Sequence, residues 1–174
     1  MKHINRLLII SASLLIVLAA CGPTPARDEN KNVTDTAAMI ADFEVPAGFT
    51  PELGAHLLGY SLASYKGAAD PSHLYLIQSE NKSDEAELQK MLEQMAPGAS
   101  DSTTRTTVIE NRPVTVRGQE ATLVISEGTN HEGLLYRQAM VVFEGKGGPA
   151  MLLFIDTAEN WDQAAVDALL QSIE

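Results

Sequence analysis

Basic residues are scarce: 12 Lys and Arg stand against 23 Asp and Glu in 174 residues, a formal net charge of −11. Phosphate binding needs a basic face, so this balance argues against nucleic acid as a partner. Cysteine is scarcer still, with Cys21 the only one. A lone cysteine excludes an internal disulfide and any zinc site built on several thiolates. No internal repeat is visible. The only long apolar run is Leu7 to Leu18, about 12 residues and too short to span a bilayer as a helix.

That run is also the first informative feature present. Met1 to Arg6 is short and basic, the apolar core follows, and Leu18-Ala-Ala-Cys21 closes it with small residues. Basic, apolar and small in that order is the pattern of an export signal. Leu18-Ala-Ala-Cys21 resembles the lipobox of bacterial lipoproteins, in which the cysteine is acylated and becomes the new N-terminus. The resemblance implies loss of residues 1–20, lipid on Cys21 that consumes its thiol, and anchoring in the cell envelope through that lipid. Gly22 in the next position resembles proteins sent to the outer membrane, facing the periplasm, under the Gram-negative sorting rule. The mature chain of 154 residues would carry 10 basic and 23 acidic side chains, a net charge of −13, once Lys2 and Arg6 leave with residues 1–20. Such a length fits one domain that buries roughly two thirds of its unfolded surface. Its charge repels anionic headgroups, so membrane contact is expected through the lipid alone.

Residues 22–36 hold two prolines, many charged and amide side chains, and Val33 as the one large apolar residue. Such a stretch buries too little to offset its ordering entropy and reads as a flexible tether, residues 21–36 counting Cys21. A folded domain is expected over 37–174. Ala38 to Phe43 reads as a short helix or strand lead-in, with a turn at Pro46-Ala-Gly48. Leu57–Tyr65 and Leu74–Gln78 read as strands joined by a hairpin turn over Gly67–Pro71. Asp84–Met95 reads as a helix, with Leu88, Met91, Leu92 and Met95 on one stripe and Pro97-Gly98 as its stop. Short strands follow at Thr104–Ile109, Val114–Val116 and Ala121–Ser126, broken at Asn111-Arg-Pro113 and at Gly118. Leu135–Phe143 and Ala150–Ile155 form a hairpin around Gly145-Lys-Gly-Gly148, with apolar runs that suggest strands covered on both faces. A last helix from Asn160 is expected to bury Trp161, Ala165, Leu169 and Ile173. Tight turns between consecutive strands imply antiparallel pairing, hence an α+β domain with helices packed on a meandering sheet.

Phe43-Glu-Val-Pro-Ala-Gly-Phe49, Val116-Arg-Gly118 and Leu169-Leu-Gln-Ser-Ile173 in that layout resemble the PsbP-like fold, shared by photosystem accessory proteins and DcrB-like bacterial lipoproteins. The resemblance covers about residues 38–174. It brings no catalytic motif and implies a binding or accessory module rather than an enzyme.

The residues themselves point the same way. His56, His73 and His131 lie in or beside turns without His-x-x-x-His or His-Glu-x-x-His spacing. No serine sits in a Gly-x-Ser-x-Gly elbow. The Gly145, Gly147, Gly148 cluster lies between strands, so no helix N-terminus stands ready for a phosphate. Glu127–Gly133 has oxygen ligands in a loop but not the alternation of a calcium loop. Neither a cofactor nor a metal is therefore expected. The leading expectation is a non-enzymatic, membrane-anchored module that binds an envelope protein partner through loops on a rigid sheet. Its candidate loops are Lys66–His73, with Tyr65 and His73, and Glu127–Gly133, with Asn130, His131 and Glu132. Two other readings stand beside it: a carrier or sensor of an apolar small molecule held between the sheet and the Met91/Met95 helix, and a loop-built hydrolase or metal enzyme.

Overall fold

Every residue of Pro149–Thr157 except Asp156 is buried, and a strand this apolar must lie inside a sheet that is covered on both faces. The computed structural model describes residues 29–81 and 106–174. In chain order these form α1 (Glu29–Ile40), β1 (Thr50–Leu57), β2 (Tyr60–Lys66), β3 (His73–Ser79), β4 (Thr107–Val116), β5 (Gln119–Thr129), β6 (Leu135–Glu144), β7 (Pro149–Thr157) and α2 (Gln163–Gln171). The strands make one seven-stranded sheet in the order β1-β2-β3-β7-β6-β5-β4. All neighbours are antiparallel. Two meanders thus meet at the β3–β7 pair, where Leu74 faces Phe154 and Ile77 faces Met151. The α+β meander expected from the turns is the observed architecture.

Alternation of side chains splits the buried residues into two clusters. Leu74, Leu76, Leu123, Ile125, Val141, Leu152 and Phe154 face α1 and α2, which contribute Val33, Ile40, Val166, Leu169 and Leu170. Ile77, Tyr136, Met151, Leu153 and Ile155 form the cluster on the opposite face. The expected helix Asp84–Met95, with its methionines, lies outside the described residues.

Four local expectations change. The chain is already helical at Glu29, within the stretch expected to be a tether as far as residue 36, and Val33 is fully buried. One apolar residue suffices because the sheet makes room for it. A Cβ on Gly54 would lie 2.6 Å from the Asn32 carbonyl oxygen and 2.8 Å from Val33 Cα, so glycine lets α1 lie directly on β1. The Asn32 side-chain amide donates to the Gly54 carbonyl there.

Leu57–Tyr65 is not one strand. Leu58 and Gly59, at φ 54° and 81°, turn the chain between β1 and β2. Asn111-Arg-Pro113 does not break its strand, because β4 is a sheet edge and the missing Pro113 N–H interrupts no inner ladder. The final helix begins after Asp162, whose carboxylate accepts from the Ala164 and Ala165 amides as an N-cap. Trp161 consequently precedes the helix and is only half-buried, edge-on to Phe154 at 5.8 Å. Ala165 is likewise half-buried, and Val166 and Leu170 join Leu169 and Ile173 inside.

Two stability outcomes follow from these contacts. Gly54→Ala should lower the urea midpoint by the equivalent of about 1–3 kcal/mol through overpacking against α1; an unchanged midpoint would mean that α1 does not rest on β1. Trp161→Ala should cost less than the roughly 3 kcal/mol at which full burial of an aromatic begins to register, and a larger loss in the same titration would contradict its partly buried position at the margin of the core.

Candidate functional site

The two loops expected to carry function lie at one end of the sheet, since the starts of β3 and β6 both pair with the far end of β7. Their side chains do not converge. Lys66 is directly opposite His73, so His73 shares the face of Lys66 and the preceding residue, Tyr65, points to the other. Tyr65 is a core residue, 3% exposed and edge-on to Phe43 at 5.9 Å. It is not a loop contact.

His73 sits in a more defined setting. Its Nδ1 lies 3.0 Å from the Pro71 carbonyl, and because a carbonyl only accepts, Nδ1 carries the hydrogen. Its Nε2 is 3.6 Å from Glu52 Oε2, an oxygen that also accepts from Ser64 Oγ at 3.2 Å. The ring stacks on Tyr75 with centroids 5.5 Å apart. Next to it in sequence, the Ser72 hydroxyl donates to Asp156 Oδ1 at 2.5 Å, which also accepts from the Thr157 amide at 2.7 Å. Ser72 is therefore held by a carboxylate while His73 is turned to Pro71 and Glu52, an arrangement that braces a turn and does not activate a nucleophile.

At the second loop Asn130 Oδ1 accepts from the Glu132 and Leu134 amides at 3.0 and 2.9 Å. That oxygen holds the turn. Glu127 lies in β5 and accepts from Arg137 Nε at 2.9 Å across the β5–β6 pair. His131 and Glu132 are both exposed, with Nε2 and Oε1 3.9 Å apart. Of the oxygens considered for a cation, two are thus committed to protein donors. His56, at the far end of β1, contacts Ser61 Oγ at 2.9 Å and Glu80 Oε1 at 3.6 Å. Among the described residues, no group of three His, Cys, Asp or Glu side chains is placed to share a metal ion.

Gly145-Lys-Gly-Gly148 is a β6–β7 hairpin, as expected. Its glycines crowd the buried side chain of Gln78, and the Gly147 amide donates to Gln78 Oε1 at 2.9 Å. Satisfying a buried amide accounts for this cluster without a phosphate.

Two features escaped the sequence reading. One is a groove of about 330 Å3 between α1 and the segment after it, lined by Ala37, Ala41, Phe43, Val45, Phe49 and Tyr65. The other is the β1–β2 tip, where Leu57 and Leu58 are 69% and 88% exposed. A glycine directly after two leucines was the available turn signal at that tip.

Comparison with known proteins bears on the architecture. The solution structure of cyanobacterial PsbP (CyanoP) from Synechocystis sp. PCC 6803 superposes on 90% of this chain and 98% of its own, with a TM-score of 0.54 at 15% identity. The fold is PsbP-like. No family model matches the chain, and no curated protein matches it in sequence. The residues that suggested the PsbP-like fold are structural in this chain. Phe43 and Phe49 pack on Tyr65 and Phe154, Arg117-Gly118 form the β4–β5 turn at positive φ, and Leu169, Leu170 and Ile173 are buried.

Burial raises the phenols of Tyr65 and Tyr136 above the ordinary value of 10.0; burial, then Glu52 and Asp70, raise that of Tyr75. A raised native value means that the unfolded chain sheds its phenolic protons first. The contribution to stability is intact below pH 10 and is lost as pH rises through the native values. The urea midpoint should therefore fall steadily on the alkaline side of pH 10, with a shallower fall for Tyr65→Phe. A flat alkaline profile would contradict the burial of these rings.

Proposed function

We propose that this chain is a lipid-anchored envelope lipoprotein whose PsbP-like domain is a non-enzymatic binding or accessory module. The observation that carries the reading is the dispersal of polar chemistry. His56, His73 and His131 each have a separate local carboxylate, Glu80, Glu52 and Glu132. Catalysis instead needs nucleophile, base and orienting group within hydrogen-bond reach of one point. The Leu18-Ala-Ala-Cys21 motif supports the address: lipid on Cys21, residues 1–20 removed, and an outer-membrane position facing the periplasm. None of the described helices is long and apolar enough to cross a membrane, and attachment through Cys21 does not require one. An envelope protein is the proposed partner.

A second reading, a carrier of an apolar small molecule, is favoured by one observation. The groove beside α1 is lined mainly by apolar side chains and its size is at the lower end of ligand pockets. Met91 and Met95, the residues expected to line such a site, lie outside the described residues.

Native co-purification from the protein's own membrane, with mass spectrometry of bound proteins and lipids, separates the two. A stoichiometric protein supports the module, whereas an apolar ligand lost on Ala41→Trp supports the carrier. For the anchor, Cys21→Ser should abolish incorporation of labelled fatty acid and block the cut before residue 21, leaving residues 1–20 attached. A Cys21→Ser protein that stayed membrane-bound and was cut at the same place would overturn the lipoprotein reading.

A further inference from the structure

Leu58 occupies a position that stability alone does not explain. It is 88% exposed, and its φ of 54° is in the left-handed region where a leucine is disfavoured. Asn or Gly would suit that hairpin position better. Beside it are Leu57, 69% exposed, and Leu53, 51% exposed, four residues apart and so on the same face of β1. Single exposed leucines are ordinary on any surface. Leu53 and Leu57 on the edge strand, with Leu58 in the strained turn that ends it, make an apolar ridge of three exposed leucines.

The path of the chain says what that ridge meets. The first turns of α1 rest on β1 at Gly54, and Leu57 is three residues further along, about 10 Å. Only seven residues, 22–28, lie between Cys21 and Glu29, eight steps of the chain and a reach of about 28 Å at most. A lipid on Cys21 therefore enters the bilayer within that distance of the end of α1 that rests on β1. The start of the edge is poorly suited to pairing with a strand from another protein, since Pro51 and a bulge between Pro51 and Leu53 interrupt its ladder, which leaves only Leu53–Leu57 regular. Near the tip, Glu80 lies against His56, and further along β1 stands Glu52, so neutral headgroups suit this surface better than anionic ones.

We propose that the β1 edge, with Leu57 and Leu58 at its tip, docks in the headgroup–acyl boundary of the membrane that holds the Cys21 lipid. The contact rests on the lipid-anchor reading, departs from the expectation that the lipid alone touches the membrane, and adds an orientation: β1 faces the bilayer, and the rest of the domain points away. Two leucines on a hairpin supply apolar area where amphipathic surfaces bind.

The test uses the full lipidated chain in phosphatidylethanolamine–phosphatidylcholine vesicles. Acylation of Cys21 leaves Leu58→Cys or His131→Cys as the single site for an environment-sensitive fluorophore. The label at position 58 should be blue-shifted and quenched severalfold more by nitroxide lipids than the label at 131. Adding Leu58→Asn to a chain labelled at Leu53→Cys should abolish most of the quenching there while leaving the urea midpoint equal or higher, because Asn accepts the left-handed turn. A label at 58 that stays as wet as the one at 131, on protein that still floats with the vesicles, overturns the docking and leaves the anchor standing. Wet labels that cross-link two chains through position 58 assign the ridge to a second copy and overturn it equally. Protein absent from the floating fraction overturns the anchor, and the docking falls with it.

Discussion

The pairing of β3 with β7 is the constraint on which the rest depends. Each meander is held by local hairpins, and their residues share one core across the junction. Their junction brings residues 73–78 against 150–155, far apart in the chain, and places Leu74 and Leu76 with Leu152 and Phe154 on one side. Ile77 then meets Met151 on the other. The gain in buried apolar area has to exceed the entropy of closing a long loop, which is why β7 is apolar at nearly every position. An alternating strand could not serve both faces.

That junction also distributes the polar residues. The register that sets His73 opposite Ile155 turns His73 to one face and Tyr65 to the other, so neighbours in a turn become unrelated in space. Ser72 and Asp156 meet across the same junction and tie its end together. Polar side chains near the loops are absorbed in bracing turns, as Asn130 does for its own loop and Gln78 for the Gly145–Gly148 hairpin. The unusual features are instead at the opposite side of the molecule, on the β1 edge, where α1 is pressed against Gly54 and leucines face outward. Sheet edges are commonly blunted by proline and bulges. Here proline and a bulge interrupt the start of β1, and its leucines from Leu53 onward stay exposed.

Much of this was legible in the chain. Turn residues located the hairpins at Gly67–Pro71, Gly118 and Gly145–Gly148, runs of apolar residues located β6 and β7, and tight connections dictated antiparallel pairing. The errors share a cause. Val33 looked too solitary to fold, Leu57–Tyr65 looked like one strand, and Pro113 looked like a break. Each was judged by its own neighbours, whereas its state is decided by another element: Gly54 beneath α1, β2 folding back on β1, and the edge position of β4.

By itself, the sequence determined the α+β class, the antiparallel meander, the exclusion of an internal disulfide and of any site built on several thiolates, and an N-terminal motif that resembles a lipobox. These follow from residue type and short-range spacing, which act within a few residues along the chain. Tertiary structure alone decided that the helical region reaches back to Glu29, that Tyr65 is core while His73 is mostly buried on the opposite face, and that three leucines share one edge. Those facts depend on strand register and on which strands are outermost, quantities set by contacts between residues far apart in the chain.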